Sequence, residues 1–218
     1  MDWPLLAGIP EEDCQRFLAI ARRRRFAKGE VVFHAGDPGD SLYLVARGRF
    51  AIRGGTVLGD TVMLRVIGTG SFFGELALVG DDRRSATVTA LEPSETLTIV
   101  RRDFEQLRTR HTSVDRVLVA ALAQQVRRMS DLMTELLYLP AERRVLRRLL
   151  EVAELWGGAR PGAIVPFTQE DLAGLAGTTR PTANRTLRQA EAAGHLRLSR
   201  GRIELLDPSA LAAQAHLR

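Results

Sequence analysis

The sequence predicts an α+β chain in three parts: a β-rich N-terminal roll, a long helix, and a small helical block ending in a hairpin. Three observations carry this. Between Arg24 and Arg101 apolar and polar residues alternate at period two, interrupted by Gly/Asp/Pro turns. Residues 112–138 contain no proline or glycine, so about 27 residues at 1.5 Å each span ~40 Å of unbroken helix. After Thr168 two short helices meet at a glycine and lead into two short strands.

Residues 10–21 read as a short amphipathic helix. Pro10 opens it, Glu11, Glu12 and Asp13 fill its first turn, and Phe17, Leu18 and Ala21 share a face. Strands follow at 31–33, 41–45, 49–52, 62–67, 86–90 and 96–100, with turns at 36–40, Gly54-Gly55, 68–70 and 92–94. Many short strands with frequent turns suggest a barrel or roll. Asp103 to His111 reads as a short helix. On the long helix, Val114, Leu118, Ala121, Leu122, Gln125, Met129, Leu132 and Leu136 lie near one stripe, a spacing that suits a two-helix seam. Pro140 ends that helix and marks a hinge.

The next helix, 141–156, is rich in arginine. Val145, Leu146, Leu149, Leu150, Ala153 and Leu155 are expected on its inner face. Loop 157–162 leads to a strand at 164–167. Thr168 is the expected N-cap of a helix that stops at Gly177. A second helix starts at Thr179-Arg180-Pro181 and ends near Gly194, with Pro181 tolerated in its first turn. Residues 196–198 and 202–205 read as a hairpin, or wing. The domains predicted from this are 1–111, the β-roll; 112–139, a dimerisation helix and hinge; and 140–218, a nucleic-acid-binding block.

The chain has 218 residues and 45% apolar content, enough for real cores. No apolar run approaches the ~18 residues of a membrane span. The N-terminus lacks signal-peptide features, so a cytoplasmic location without membrane attachment is expected. Cys14 is the only cysteine, and the four histidines are scattered, so neither a metal site nor a covalently bound cofactor is expected. No nucleophile–base pair is apparent, which argues against an enzyme and leaves no catalytic residue to assign. Net charge is +5, and residues 140–218 carry 12 basic against 8 acidic groups. Such an excess favours a polyanion.

The stretch Gly70-Ser71-Phe72-Phe73-Gly74-Glu75-Leu76-Ala77-Leu78, with Arg83-Arg84-Ser85-Ala86-Thr87-Val88 after it, sets out a pocket for a small cyclic phosphate. Gly74 permits a backbone conformation that a side chain would obstruct. Glu75 offers an acceptor for a ribose hydroxyl. Arg84 supplies a fork of donors for phosphate oxygens, and Ser85 adds a hydroxyl. A carboxylate repels phosphate, so Glu75 must face the sugar and Arg84 the phosphate. Together these segments resemble the phosphate-binding cassette of cyclic-nucleotide-binding domains. Phe33-His34-Ala35-Gly36-Asp37, Ser41-Leu42-Tyr43-Leu44-Val45 and Gly48 extend that resemblance.

Over nearly its whole length, from about Leu5 to Asp207, the chain resembles the cAMP receptor protein / fumarate–nitrate reductase regulator superfamily of bacterial transcription factors. The resemblance implies a cyclic-nucleotide-binding β-roll, a long dimerisation helix and a C-terminal winged helix-turn-helix. Gly74, Glu75, Arg84 and Ser85 match the family's cAMP-contacting positions. Leu76, Ala77 and Ala86 stand where backbone contacts are expected. On the long helix, where cyclic-AMP-responsive relatives place a hydroxyl pair against the adenine, this chain has Met129 and Ser130. Ser130 can donate to a base; Met129 can only pack against it. The implied effector is cAMP or another cyclic nucleotide, acting allosterically. Iron–sulfur-type oxygen sensing is excluded by the single cysteine.

On the second helix of the pair, Arg180 and Arg185 match positions that contact guanine, whose O6 and N7 suit an arginine fork. Thr182 fits a phosphate or a thymine methyl, and Arg188 a phosphate or a base. Pro181 stands where cyclic-AMP-responsive relatives usually have a cytosine-reading glutamate. Thr168, Thr179 and the wing residue Arg200 complete the expected DNA-facing set. The implied partners are double-stranded DNA with an approximately palindromic site, a second copy of the chain, and RNA polymerase. Two alternatives are a cyclic-nucleotide-binding module that acts on a partner protein, and a family regulator that binds DNA without a nucleotide.

Overall fold

A computed structural model describes residues 3–55, 61–80 and 83–216. The chain divides into two compact units, Met1–Arg128 and Met129–Arg218.

The first unit opens with a 3-10 turn, Pro4–Leu6, and helix α1, Glu11–Ile20. Strands β1 (Arg22–Phe26), β2 (Val31–Phe33), β3 (Ser41–Arg47), β4 (Arg49–Gly55), β5 (Thr61–Gly68) and β6 (Phe72–Phe73) precede a four-residue helix α2, Leu76–Val79. Strands β7 (Thr87–Ala90) and β8 (Ser94–Val100), then helix α3 (Arg101–Arg110), lead to the long helix α4, Thr112–Tyr138. The unit boundary falls inside α4. Two antiparallel four-stranded sheets, ordered β1-β8-β3-β6 and β2-β7-β4-β5, form the roll.

Strand β3 is buried from Ser41 to Ala46 because each face meets a different core. Leu42 and Leu44 join Trp3, Phe17, Ile99, Phe104, Val114 and Leu118 on the helical side. Tyr43 and Val45 join Phe26, Phe50, Ile67, Phe73 and Val88 in the second cluster. Period two thus assigns alternate residues to alternate cores.

Several expectations are corrected. Strand β1 is four arginines followed by the buried Phe26. No apolar pattern announces it. Arg23 and Arg25 instead meet Glu95 of β8 at 2.8 and 3.2 Å, and the exposed charges keep an edge strand from pairing further. Gly54 and Gly55 are strand residues opposite Val62 and Thr61, not the turn itself; the intervening residues 56–60 lie outside the described ones. Val114 and Leu118 are buried in their own unit's core, so they leave the predicted seam. The exposed large apolar residues of α4 are Val119, Val126, Met129, Met133, Leu136, Leu137 and Tyr138. Positions 119, 126 and 133 repeat at seven residues, as do 122, 129 and 136, which is the a/d spacing of a coiled-coil seam.

In the second unit, α5 (Ala141–Leu155) is followed by β9 (Ile164–Val165), α6 (Gln169–Ala176), α7 (Arg180–Ala192), β10 (Leu196–Ser199), β11 (Arg202–Leu205) and α8 (Pro208–His216). The three strands form a sheet ordered β10-β11-β9. On α5 the inner face carries Val152 and Arg148, while Leu155 is exposed. Arg148 tolerates burial because Glu135 and Glu151 both pair with it. Helix α8 lacks a strong apolar stripe and was not anticipated. Its start is nonetheless encoded: Asp207 accepts from the Ala210 N–H at 2.9 Å, and Pro208 occupies the first turn.

Candidate effector pocket and nucleic-acid interface

The pocket is built where β6 ends against β3, with Phe73 opposite Tyr43 and their rings stacked at 4.9 Å. Gly74 follows with φ +87°, and Glu75 opens α2. A Cβ on Gly74 would sit 2.7 Å from Arg84 Nη1 and 3.0 Å from the Ser41 carbonyl oxygen. Glycine is therefore required twice, by φ and by space.

Arg84 is 4% exposed. Its Nη1 donates to the carbonyl oxygens of Ser41 at 2.8 Å and Gly74 at 3.0 Å, and its Nη2 to the Ser41 hydroxyl at 3.1 Å. The guanidinium lies over the Phe33 ring at 4.2 Å. Its Nε is buried and has no hydrogen-bond partner among the described residues. A buried donor left unmade is costly, so an incoming acceptor there is favoured. Burial pulls the Arg84 pKa down, opposed by Tyr43, Asp40 and Asp37. Burial pushes the Glu75 carboxyl up, opposed by its own backbone N–H, then Arg65 and Arg84.

The other expected pocket residues divide. Ala77 and Ala86 are buried beside this turn, Leu76 is half-buried, and Ser85 is exposed. Met129 and Ser130 belong to the second unit and are exposed. Sequence reasoning missed Ser41, Phe33 and Tyr43 as the cradle of Arg84, and Arg65 as a charged neighbour of Glu75. The alternation of 41–45 marks a strand, but gives no sign that its first residue holds an arginine 43 positions away.

In the second unit, Thr168 caps α6 through a reciprocal box: it accepts from Asp171 N–H at 3.1 Å, and Asp171 accepts from Thr168 N–H at 3.2 Å. Gly177 ends α6 at φ +59°, and a Cβ there would lie 2.6 Å from Leu136 Cδ2. Thr179 caps α7, accepting from Thr182 N–H at 3.4 Å. Pro181 is the second residue of α7 and is exposed.

Three exposed arginines of α7 each meet a carboxylate from a different place. Arg180 is 3.8 Å from Glu170, Arg185 is 3.0 Å from Glu142, and Arg188 is 2.7 Å from Glu191. Glu191 also accepts from the Leu198 N–H at 2.7 Å, which ties α7 to the hairpin β10–β11. Thr168, Arg180, Arg188 and Arg200 line one open concavity of about 590 Å³, together with Glu170 and the unanticipated Arg202. Arg185 does not line it. The face is cationic, wide and open, and it suits a polyanion. Among the described residues no group of histidines, cysteines and carboxylates is arranged to hold a metal, and no helix is long and apolar enough to cross a membrane.

Comparison with known proteins agrees with this division. Residues 23–111 match the cyclic nucleotide-binding domain, and residues 143–214 match the Crp-like helix-turn-helix domain. The Cyclic AMP receptor protein of Thermus thermophilus is 34% identical over 209 residues, covering 95% of this chain and 94% of its own length. A crystal structure of the Thermus thermophilus catabolite activator protein covers 97% of this chain and 98% of its own, at 32% identity and a TM-score of 0.56. The c-di-GMP-responsive global regulator CLP of Xanthomonas campestris covers 90% of this chain and 99% of its own, at 27% identity and a TM-score of 0.76. A cyclic-nucleotide-type roll joined through a long helix to a capped helix-turn-helix with a basic wing places the chain in the CRP/FNR family of DNA-binding transcription regulators, which are not enzymes.

Proposed function

We propose that the chain is a homodimeric transcription regulator whose DNA affinity is set by a cyclic nucleotide bound in the roll. The observation that carries this is Arg84: a buried guanidinium beside the positive-φ Gly74, with its Nε donor unpartnered among the described residues. In this reading Arg84 and the backbone at Gly74, Leu76, Ala77 and Ala86 hold the phosphate. Glu75 accepts from the ribose, and Ser85 donates to phosphate from its exposed position. Met129 and Ser130 contribute from the long helix. A nucleotide is the first effector to test as cAMP, since the Thermus relative is named for it. The name of the Xanthomonas neighbour makes c-di-GMP the second.

The dimer forms along residues 112–139, with the heptad positions of α4 as its seam. Residues 140–218 bind DNA: Arg180 and Arg185 read guanines, Arg188 and Thr182 hold backbone, and Arg200 follows from the wing. Two-fold symmetry then calls for an approximately palindromic site. Such a regulator works in the cytoplasm and meets RNA polymerase there. The test is an electrophoretic shift on promoter DNA with and without cAMP. A shift that nucleotide strengthens supports the reading. No shift under either condition supports a module that acts on a partner protein instead. A shift indifferent to any nucleotide supports a regulator that binds DNA unliganded.

A further inference from the structure

Arg65 is an arginine on the wrong side of a strand. On β5 it stands opposite Ile52, and two residues later Ile67 stands opposite Phe50. Directly opposed residues point to the same face, and residues two apart share it. Phe50 and Ile67 are buried in the cluster formed with Tyr43 and Phe73, and Ile52 packs against that cluster. The irregularity in this ladder comes only after Ile52, so the alternation from Ile67 to Arg65 is intact. Arg65 therefore projects to the inner side of the roll, the side on which Tyr43 and Phe73 support the pocket.

Its charge also acts on the pocket carboxylate. Burial pulls the Arg65 pKa down, repulsion from Arg128 adds to this, and Glu75 opposes it. Glu75 is in turn stabilised as a carboxylate by both Arg65 and Arg84. Yet among the described residues the Arg65 side chain makes no hydrogen bond or ion pair, and Glu75 forms an ion pair with neither arginine. The ladder carries the same row towards Arg84: Ile52 stands opposite Val88, Val88 opposite Phe33, and the Arg84 guanidinium lies over the Phe33 ring.

We propose that Arg65 is the base-selecting residue of the pocket, favouring a guanine-bearing cyclic nucleotide over an adenine-bearing one. The proposal rests on the nucleotide reading above. A cyclic mononucleotide carries one phosphate charge, which Arg84 answers, and a ribose hydroxyl, which Glu75 answers. The base is what remains for the unpaired fork of Arg65. Guanine presents two acceptors, O6 and N7, on one edge; adenine presents N7 and an amino donor there. Arginine has donors only. Against guanine both arms of the fork are used, whereas against adenine one arm meets another donor.

The experiment is calorimetric titration of the full chain, stripped of nucleotide, with cAMP and with cGMP. Wild type, Arg65→Ala and Arg65→Lys are compared. The expected result is tighter binding of cGMP than cAMP by wild type, by at least about fivefold for a two-point contact. Arg65→Ala brings the ratio close to one. Arg65→Lys keeps the charge but lacks the planar fork, so it also loses the preference, and it keeps the test open if the alanine variant does not fold. A residue with only a structural role would weaken both nucleotides alike and leave their ratio unchanged. If wild type binds both and the ratio is the same in the lysine variant, or if wild type prefers cAMP, Arg65 is not the selector and the pocket reading stands. If wild type binds neither, the nucleotide reading itself fails, and this proposal with it.

Discussion

The Arg84 guanidinium is fastened to Ser41 at two points, Nη1 to the carbonyl oxygen at 2.8 Å and Nη2 to the hydroxyl at 3.1 Å. The ring of Phe33 covers one face of it. In the proposed pocket this guanidinium is thus held before any ligand arrives, so less side-chain freedom is lost on binding. Arg84→Ala is expected to cost the charge-assisted contact outright, on the order of 1.5–3 kcal/mol of nucleotide affinity. Ser41→Ala removes one orienting bond and is expected to cost about 0.5–1.5 kcal/mol. Calorimetry on the two variants checks the order. Equal losses would mean that Ser41 touches the ligand itself.

Glu75 makes a prediction about pH. Burial raises its folded-state pKa above the unfolded value. Between those two values the folded chain binds more protons than the unfolded chain. Stability of the unliganded protein therefore falls as pH rises through that window, and the loss is complete above the folded pKa. Glu75→Gln carries no charge to bury. It is expected to flatten this dependence and to raise the melting temperature at neutral pH. Thermal unfolding of both proteins across mildly acidic to neutral pH is the check. A parallel dependence in the variant would assign the slope to other groups.

The helix-turn-helix was legible because its ends are written in local chemistry. Thr168 is the expected N-cap of α6, with Asp171 closing the box, Thr179 caps α7, and Gly177 takes the left-handed conformation. The roll was legible where period two holds, as in 41–45. It was not legible at β1, where backbone pairing to β8 and the Glu95 carboxylate support Arg22–Arg25 without any apolar pattern. The stripe of α4 was legible in part, at Leu122, Met129 and Leu136, which stay half-buried or exposed. A stripe starting at Val114 satisfies the spacing, but long-range packing on Trp3, Leu42 and Phe104 claims Val114 and Leu118. The turn at Gly74 and the arginine at position 84 were plain in the sequence, while the Ser41–Arg84 contact and the inward side of Arg65 arise only from strand pairing. Tertiary contacts of this kind leave no local trace.

The seam yields its own test. Val119, Val126 and Met133, with Leu122, Met129 and Leu136, occupy alternating heptad positions, and most of them are exposed in the single chain. Burying such a stripe against a second copy removes a large apolar surface from water. Sedimentation is expected to give about twice the chain mass of 24.1 kDa. Val126→Asp puts a charge in the middle of the seam and is expected to shift the protein toward monomer. Val114→Asp, by contrast, is expected to unfold the first unit, because that residue is fully buried in the unit's own core. Circular dichroism separates the two outcomes. A monomeric wild type at high micromolar concentration would remove α4 as the dimer element.

DNA reading is expected to follow from how each arginine of α7 is held. Arg180 meets Glu170 at only 3.8 Å with both side chains exposed, so it is freely available to a base. Arg180→Ala is expected to relax preference at one position in each half-site, by about 1–3 kcal/mol of discrimination. Arg188 is held at 2.7 Å by Glu191, which also accepts from the wing at Leu198. That geometry fixes it beside the hairpin, where a phosphate contact suits it better than a base. Arg188→Ala is expected to weaken all sites alike and to reduce the salt dependence by roughly one unit per contact. Pro181, exposed at the second position of α7, carries no hydrogen-bonding side chain, so the adjacent base pair should be weakly specified. Binding-site selection on wild type and Arg180→Ala, with salt titrations on Arg188→Ala, measures all three. Enriched sites without an inverted repeat, or a motif unchanged by Arg180→Ala, would show that α7 is not the reading helix.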